Sequence, residues 1–547
     1  MKTATNHLLS VLAAFLLAGI TSYAADKLPD IIPQPQSLEL RKGSCRVAGI
    51  QINCDDAFGE DVRGIIAAFA DRLKTVCGKE STVAYPIGLR KSAEKGNVKG
   101  MVIIMNRALG QEEYVMDISA GKILIYASAA PGVLWGIRTL QQMLPPEIYR
   151  NAPAKVHLSV PCCLIQDKPR FKYRGVMLDC CRHFFSTDEI KRQLDVMSIY
   201  KCNRLHWHLS DDQGWRIEIK SRPLLTIAGA WRAEEDNPKY GGFYTEDEVR
   251  DIISYAAARG ITVIPEIDLP GHMMSALTCY PELGCTGKGY EITNRWGVYK
   301  DVLCAGNEAV YAFLEDVLTE ICDIFPSEYI HIGGDECPKD RWRECPKCQA
   351  KIRELGLEDT AGATKEQRLQ NYVTARIQAF LAGKGRKIIG WDEILEGELS
   401  PGATVMSWRG SKGGIKAAAA GFDVIMTPNS HCYFDYAQSP QLDKEPKGIT
   451  RKPERAITLE KVYSMEPCVN MDAESAKHVL GVQCNLWTEY IAANDHLEYM
   501  LLPRMIALSE VQWRPAGNRD FDAFKTSLQH HQFRILDILG VNYRKLD

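Results

Sequence analysis

From residue 168 onward, short apolar runs alternate with amphipathic windows in which hydrophobic residues recur every three or four positions. The apolar runs are rich in β-branched and aromatic residues and have the length of buried strands. Eight strands are predicted in this way, at Tyr173–Leu178, Asn203–Leu209, Ile261–Ile267, Tyr329–Ile332, Lys387–Gly390, Ala403–Ser407, Asp423–Met426 and Val479–Leu486. The clearest helices predicted between them are Thr187–Tyr200, Glu246–Arg259, Glu308–Phe325, Lys365–Ala382 and Lys412–Ala420.

This alternation predicts an α/β fold with a closed (β/α)8 TIM-type barrel. Strands that alternate with helices form parallel sheets, and eight such units are the number that closes a barrel. The strand-to-helix connections after the second, third, fourth and seventh strands are long, whereas several helix-to-strand connections are short and contain glycine. Barrel enzymes build their sites on long loops at one end. An open doubly wound sheet is the competing fold, and it does not require eight units.

A first unit, residues 26–166, precedes the barrel and is predicted to be a small accessory α/β domain. Its predicted elements are two β-like runs and a helix-like window, at Met101–Met105, Lys122–Ala127 and Gly132–Met143. Proline-rich passages near residues 145 and 161 indicate a boundary, so a second domain, made of the barrel and C-terminal helices, is expected to span residues 167–547. No cluster of catalytic residue types is found in the first unit.

Residues 1–25 have the pattern of an export signal. Lys2 provides a positive charge, an apolar stretch runs from Leu8 to Ile20, and small residues precede a polar change at Asp26. The apolar stretch is shorter than a membrane-spanning helix needs, and the alternative of a buried N-terminal helix fits the abrupt change poorly. The protein is therefore expected to be periplasmic or secreted.

Composition limits the classes of partner. The 547 residues suit two domains, and 46% hydrophobic with 25% charged residues is typical of a globular protein. The 66 basic and 69 acidic residues give a net charge of −3. Because no basic excess exists to bind phosphates, neither a nucleic acid nor a membrane surface is expected as a partner. The oligomeric state stays open.

Acidic and aromatic residues follow the carboxyl end of every predicted barrel strand. Any one of them alone is more often a helix cap or a solvated loop residue. Eight such strand ends on one rim instead predict a carbohydrate pocket. Aromatic rings pack against the apolar face of a pyranose, and charged groups bind its hydroxyls.

The segment Gly333-Gly334-Asp335-Glu336 follows the fourth predicted strand. Paired glycines allow a close backbone approach and a turn out of the strand. If Asp335 and Glu336 both remain extended, their side chains project to opposite sides and cannot readily flank one glycosidic bond as acid and nucleophile. That geometry favours a mechanism in which the nucleophile is not a protein carboxylate.

Four long motifs stand at the ends of predicted barrel strands. They are Tyr173-Arg174-Gly175-Val176-Met177-Leu178-Asp179, His206-Trp207-His208-Leu209-Ser210-Asp211-Asp212, Pro265-Glu266-Ile267-Asp268 with Gly271-His272, and His331-Ile332-Gly333-Gly334-Asp335-Glu336. Through these motifs, residues from about Pro169 to Trp513 resemble the catalytic domain of glycoside hydrolase family 20, the β-N-acetylhexosaminidases. The first unit similarly resembles the small α/β domain that precedes family 20 barrels.

The resemblance implies an exo-acting retaining enzyme that releases terminal β-linked GlcNAc or GalNAc from glycans. The carbonyl oxygen of the substrate's own 2-acetamido group would attack C1 and form an oxazolinium intermediate. Glu336 would be the general acid and then the base that activates water. Asp335 would bind the acetamido N–H and stabilise the developing positive charge, and Tyr433 would bind the acetamido oxygen.

The resemblance also implies the residues that bind the sugar. Arg174 would bind the O3 and O4 hydroxyls, and Asp435 and Glu489 would contact O4 and O6. The rings that would line the acetamido and sugar faces are Trp391, Trp408 and Trp487.

A histidine and an aspartate are expected to adjust the pKa of the catalytic acid. His272 pairs in this interpretation with either Asp211 or Asp212, and Asp211 is favoured. A purely structural hydrogen-bonded pair is the alternative.

A group of three cysteines, Cys337, Cys345 and Cys348, follows directly after Asp335 and Glu336. A C-x-x-C with a third cysteine is one feature of zinc sites, but no fourth ligand is spaced to complete the set. A disulfide or free thiols are therefore predicted, and no metal and no cofactor are expected.

Three other functions compete with the leading hypothesis. They are an enzyme of the same fold with another sugar specificity, a carbohydrate-binding protein without activity, and a metallohydrolase using Asp, His and Cys groups. Retention of Glu336, Asp335 and Tyr433 argues against the binding protein, because binding alone does not need that trio.

Overall fold

A computed structural model of the chain describes residues 28–94, 98–450 and 452–546. The export signal predicted for residues 1–25 lies outside the described residues. Across the described ranges, none of the helices combines the length and the apolar character that crossing a membrane requires.

The first domain is built on a mixed seven-stranded sheet. The strands are Ser37–Arg46, Ile52–Cys54, Val83–Ala84, Gly100–Met105, Tyr114–Ser119, Lys122–Ala127 and Ser159–Asp167. The helices of this domain are Glu60–Cys77, Leu89–Glu94 and Ala130–Met143. Both predicted β-like runs and the predicted helix are confirmed. The strand Ser37–Arg46 was not predicted, because it is an edge strand with mostly exposed polar residues and no apolar run.

The second domain is a closed barrel of eight parallel strands. In chain order they are Tyr173–Asp179, Arg204–His208, Thr262–Glu266, Tyr329–His331, Lys387–Trp391, Thr404–Ser407, Asp423–Met426 and Val479–Leu486. The eighth strand pairs with the first from Gly481 opposite Tyr173 to Leu486 opposite Leu178, which closes the sheet. The predicted barrel is confirmed, and each predicted strand end lies within one residue of the observed end.

The predicted helices around the barrel are also confirmed. The helices of this domain are Thr187–Ile199, Leu224–Ile227, Glu246–Ala257, Met274–Cys279, Glu308–Ile324, Asp340–Glu344, Pro346–Glu354, Lys365–Gly383, Lys412–Ala419, Leu459–Tyr463, Ala473–Ala476, Asn494–Leu501, Arg504–Trp513, Phe521–Ser527 and Phe533–Leu539. Three of the longer ones begin with a capping box, at Ser186, Thr245 and Thr364. The fifth strand is followed by one short 3-10 turn, Asp392–Leu395, so the ring of helices is irregular there.

The first domain packs against the amino end of the barrel through buried charged pairs. Arg174, near the start of the first barrel strand, lies 2.6 Å from the Glu112 carboxylate of the first domain. Lys201 lies 3.1 Å from Asp167, which also accepts a hydrogen bond from the Trp513 indole. The first domain therefore supports the end of the barrel opposite to the long loops.

Candidate active site

Two glycines turn the chain directly after the fourth barrel strand, which ends at His331. Gly333 and Gly334 have φ angles of +63° and +101°. A Cβ atom on Gly333 would lie 1.7 Å from Oδ1 of Asp268, and the Gly334 N–H donates to the same oxygen at 3.2 Å. The turn and the close backbone approach predicted for this pair are confirmed.

Gly333→Ala is expected to destabilise the protein strongly. The new methyl group would overlap Asp268 at a left-handed backbone position, so strain of about 1–2 kcal/mol adds to an overpacking cost of roughly 1–3 kcal/mol. Gly385→Ala is the matched control, because Gly385 has a φ angle of +74° with open space around it. Thermal unfolding of both variants checks the difference, and equal losses would contradict it.

Asp335 and Glu336 turn toward one histidine. Nε2 of His272 lies 3.9 Å from Oδ2 of Asp335 and 3.7 Å from Oε2 of Glu336. Glu336 has a φ angle of +42°, so the extended backbone that would send the two side chains to opposite sides does not form, and both side chains approach the same ring. The Asp335 side chain is 12% exposed and that of Glu336 is 42% exposed. One carboxylate is therefore enclosed and the other faces the opening.

The pKa values of the Asp335 and Glu336 carboxyl groups are shifted in opposite directions. Burial raises the pKa of Asp335 above its ordinary value, although His272 opposes this effect. The interaction with His272 lowers the pKa of Glu336 despite some burial. Two neighbouring carboxyl groups with divergent environments are typical of a site that divides acid–base and electrostatic roles between them.

His272 is held from behind by both candidate aspartates. Its Nδ1 lies 3.2 Å from Oδ1 of Asp211 and 3.1 Å from Oδ2 of Asp212. Burial alone would lower the pKa of His272, but these two carboxylates and Glu336 outweigh it and raise that pKa well above its ordinary value. The sequence left Asp211 and Asp212 as alternatives, and the structure brings both to the ring.

Asp211 also joins His272 to an arginine at the carboxyl end of the first strand. Its Oδ2 lies 2.9 Å from Nη2 of Arg182 and 2.8 Å from Nε2 of His208. Arg182 also contacts Asp179 at 3.2 Å and lies 4.9 Å above the Trp487 ring. A guanidinium fixed in this way is suited to bind hydroxyl or carbonyl oxygens at the mouth of the barrel.

The prediction that Arg174 binds the ligand is wrong. Arg174 is the second residue of the first barrel strand, so its side chain lies at the amino end, where Glu112 and the carbonyl oxygens of Phe171 and Lys201 hold it. Arg182 occupies the opposite end of the strand. The sequence does contain the signal that identifies Arg182. It follows the carboxyl end of the first strand by three residues, and the other candidate pocket residues likewise follow the carboxyl ends of their strands.

An aromatic wall closes the other side of the site. The Tyr433 and Trp408 rings stack with centroids 5.9 Å apart, and Trp487 lies 6.4 Å from Tyr433 and 5.8 Å from Trp391. The Trp391 indole donates to Glu266 at 2.9 Å. All four predicted rings are brought together, with Trp391 fully buried behind the others, and the resulting wall suits the apolar C–H face of a sugar.

Four buried polar atoms of this pocket have no hydrogen-bond partner within the described part of the chain. They are Oδ1 of Asp335, Nε2 of His272, Oδ1 of Asp435 and Oε2 of Glu489. Burial raises the pKa of Asp435, and the neighbouring Glu489 carboxylate adds to this effect. Burial also raises the pKa of Glu489, although Arg182 opposes it. Since buried polar groups are normally paired, these atoms indicate a polar ligand.

Sequence reasoning missed a buried network of one glutamate and three histidines beneath the pocket. Glu266, fully buried, lies 2.9 Å from Nε2 of His206 and 3.0 Å from Nδ1 of His331, and it also contacts His208. These histidines alternate along the second strand and recur in the fourth, as inward-facing barrel residues do. That alternation is the sequence signal for a buried polar network inside the barrel.

A cavity of about 370 Å³ opens beside Glu336. Gln370, Glu393, Trp408 and Arg409 contribute to its lining. Burial raises the pKa of Glu393 to about 8, with a further contribution from Asp335. The cavity leaves room for a second group joined to whatever ligand Asp335 and Tyr433 enclose.

The cysteines that follow Asp335 and Glu336 are arranged differently from the prediction. All 18 cysteines lie in the described ranges and none forms a disulfide there. Cys345 and Cys348 meet Cys304 and Cys285 of the preceding connection, and Cys337 is not part of the group. The expectation that no fourth thiol completes the set is wrong, because the two missing residues come from another loop.

The fold and this site define a glycoside hydrolase built on a (β/α)8 barrel. The sequence profile described as "Glycosyl hydrolase family 20, catalytic domain" matches residues 171–516, and the profile "Glycosyl hydrolase family 20, domain 2" matches residues 28–168. The catalytic profile alone spans more than half of the chain. The chain therefore belongs to glycosyl hydrolase family 20.

Known relatives agree with this assignment. The chain is 42% identical over 520 residues to a "Beta-hexosaminidase" of Porphyromonas gingivalis, covering 95% of this chain and 64% of that protein. The chain thus spans less than two thirds of that relative's length. A GH20 exo-β-N-acetylglucosaminidase of Vibrio harveyi, solved in complex with N-acetylglucosamine, superimposes with a TM-score of 0.82 at 31% identity, covering 96% of this chain and 80% of that one.

A GH20 β-N-acetylhexosaminidase of Streptomyces coelicolor matches across nearly the full length of both chains. Its TM-score is 0.81 at 30% identity, with 95% of this chain and 98% of that chain covered. The two-domain arrangement described above is therefore shared with solved members of the family.

Proposed function

We propose that this protein is an exo-acting, retaining β-N-acetylhexosaminidase that removes terminal β-linked GlcNAc or GalNAc from glycans. The observation that carries the proposal is the pairing of an enclosed carboxylate, Asp335, with an exposed neighbour, Glu336, beside an aromatic wall. An acetamido sugar presents one N–H, one carbonyl and one apolar face to such a pocket. The names of the hexosaminidase relatives support this substrate class.

Glu336 acts as the general acid in this proposal. Its side chain borders both the enclosed pocket and the adjoining cavity, so it lies where the leaving oxygen would pass between the two. It protonates that oxygen and afterwards removes a proton from the incoming water. The cavity then holds the departing part of the glycan.

The acetamido group of the substrate supplies the nucleophile. Asp335 accepts a hydrogen bond from the acetamido N–H through an oxygen that has no partner among the described residues, and its charge stabilises the oxazolinium ion as it forms. Tyr433 donates to the acetamido oxygen and aims it at C1. Asp335 and Glu336 are adjacent in sequence and share His272, so they are not placed as an acid and nucleophile on opposite sides of one bond.

The hydroxyls of the terminal sugar are bound at the opposite side of the pocket. Arg182 donates to O3 and O4 in place of Arg174, and Asp435 and Glu489 accept from O4 and O6 through their unpartnered oxygens. These groups enclose the non-reducing end of the sugar, which supports exo action. Export to the periplasm or the exterior is part of the proposal and would bring the enzyme to such glycans.

Replacing Arg182 and Arg174 in turn by lysine separates a residue that binds the sugar from one that only stabilises the fold. Arg182→Lys is expected to lower kcat/KM by roughly 10–100-fold, because a lysine cannot reproduce the fixed guanidinium contacts. Arg174→Lys is the matched control and is expected to lower the unfolding temperature while leaving KM unchanged, because the Glu112 carboxylate and the two carbonyl oxygens that Arg174 contacts lie at the amino end of the barrel, away from the pocket. Steady-state kinetics and thermal unfolding of both variants check this, and a KM effect confined to Arg174→Lys would contradict it.

The pH dependence is expected to follow His272. Glu336 must be protonated to act, so kcat/KM falls as pH rises through the Glu336 pKa, and the interaction with His272 places that fall at acidic pH. In His272→Asn the cation is gone, the Glu336 pKa rises, and the fall in kcat/KM moves to higher pH. His478→Asn, at the amino end of the barrel, is the control, and a fall at the same pH in all three proteins would contradict the role of His272.

Hydrolysis of simple aryl glycosides tests the proposed function. The purified enzyme is expected to cleave p-nitrophenyl β-N-acetylglucosaminide and the galactosaminide but not the matching β-glucoside, which lacks the acetamido group. Cleavage of the glucoside at a comparable rate would overturn the mechanism. No cleavage of either acetamido sugar by folded enzyme would overturn the proposed activity.

A further inference from the structure

Four cysteine sulfurs meet between the connections that follow the third and fourth barrel strands. The first connection supplies Cys285 and Cys304, and the second supplies Cys345 and Cys348. The Cys304 sulfur lies 3.6 Å from the sulfurs of Cys345 and Cys348, and the Cys285 sulfur lies 3.9 Å from that of Cys348. All four ligand atoms lie within 4.8 Å of one another.

These separations are those of a tetrahedral set of four thiolates. Sulfurs about 2.3 Å from one zinc ion, at tetrahedral angles, lie about 3.8 Å from each other. Disulfides would instead draw the sulfurs into two bonded pairs. Here the Cys304 sulfur has two neighbours at the same distance, so the four cysteines form one group.

The local backbone favours thiolates at this point. Cys345 and Cys348 have the two-residue spacing common in zinc sites and lie at the start of the helix Pro346–Glu354, where the helix dipole stabilises negative charge. A Cβ atom on Gly306 would lie 2.2 Å from the Lys347 carbonyl oxygen, so a glycine lets the two connections approach.

We propose that Cys285, Cys304, Cys345 and Cys348 bind one structural zinc ion that fastens the two connections together. Four sulfur ligands in tetrahedral arrangement select zinc over magnesium or calcium. The set is complete without water or substrate, which is the pattern of a structural site. Binding releases the four thiol protons to solvent and involves no oxidation.

The proposed ion anchors a segment that reaches the sugar pocket. Cys285 and Cys304 bracket residues 286–303, in which the Arg295 carbonyl accepts from Gln213 at 3.0 Å. Gln213 in turn accepts from Arg182 at 3.1 Å. Loss of the ion is therefore expected to loosen the support of Arg182 as well as to lower the unfolding temperature.

Metal analysis of the whole enzyme, purified without added metal or chelator, tests the proposal. Elemental analysis is expected to find about one zinc per chain, and zinc-edge X-ray absorption is expected to show four sulfur neighbours at about 2.3 Å. Iron in place of zinc, nitrogen or oxygen neighbours in the ligand set, or disulfides that join these cysteines in peptide mapping would each overturn it.

Variants locate the ion. Cys304→Ser and Cys348→Ser are expected to lose the zinc and to unfold at lower temperature. Cys279→Ser, a buried thiol six residues before Cys285 and outside the group, is the matched control and is expected to keep it. Should the first two fail to fold, a mercurial thiol reagent applied to the wild type is expected to release zinc as four thiols react. Zinc retained in Cys304→Ser, or released without reaction of these thiols, would overturn the assignment.

Discussion

Glu336→Gln is expected to lower kcat for p-nitrophenyl β-N-acetylglucosaminide by about 10²–10⁴-fold, the usual contribution of a positioned general acid. Glutamine keeps the size of the side chain but has no proton acidic enough to be transferred to the leaving oxygen. Because the loss arises from proton donation, it should shrink for aryl leaving groups of lower pKa, such as dinitrophenolate. Kinetics across a series of aryl leaving groups measures this dependence.

Glu344→Gln is the control for that experiment. Glu344 lies in the same connection as Glu336, is exposed, and lines neither the pocket nor the adjoining cavity. Its replacement is expected to leave kcat and KM unchanged. A loss in Glu336→Gln that is the same for good and poor leaving groups would contradict the role of Glu336 as the acid.

Asp335→Asn is expected to lower kcat by about 10²–10³-fold with a smaller change in KM, as is typical when one preorganised electrostatic contact to the transition state is removed. The asparagine keeps the shape of the side chain but not the charge that stabilises the oxazolinium ion. The wild-type rate should also fall at low pH as Asp335 becomes protonated, at a pH raised by its burial. That acidic limb is expected to disappear in Asp335→Asn.

Asp435→Asn provides the comparison within the same pocket. Asp435 is also a buried carboxylate with an unpartnered oxygen, but it faces the sugar hydroxyls in the proposal. Its replacement is expected to raise KM more than it lowers kcat. If Asp335→Asn behaved in this way and left kcat intact, Asp335 would be a binding residue only.

The barrel could be predicted because its strands carry strong local signals. Runs such as Ile261–Ile267 and Val479–Leu486 are apolar, short and bounded by polar turns, so each was recognisable alone. The pocket residues followed from the rule that functional groups lie at the carboxyl ends of barrel strands. Tyr433, Trp408 and Trp487 follow the ends of predicted strands, and the resemblance to family 20 implied what each of them does.

The errors arose where position along an element or contact between distant segments decided the outcome. Arg174 and Arg182 are eight residues apart, yet they lie at opposite ends of one strand, and only the strand's direction separates their roles. The left-handed backbone at Glu336 brought its side chain and that of Asp335 to the same histidine, which the sequence does not specify. The four clustered thiols come from two loops whose approach depends on Gly306.

The central claim, that the substrate's acetamido oxygen is the nucleophile, is tested most directly by fluorine substitution. kcat/KM is measured for p-nitrophenyl glycosides whose N-acetyl group carries none, one, two or three fluorine atoms. Each fluorine withdraws electrons from the carbonyl oxygen, so the account predicts a steep and progressive fall in kcat/KM. A kcat/KM that does not change with the number of fluorines would contradict it and would require a nucleophile supplied by the protein or by water.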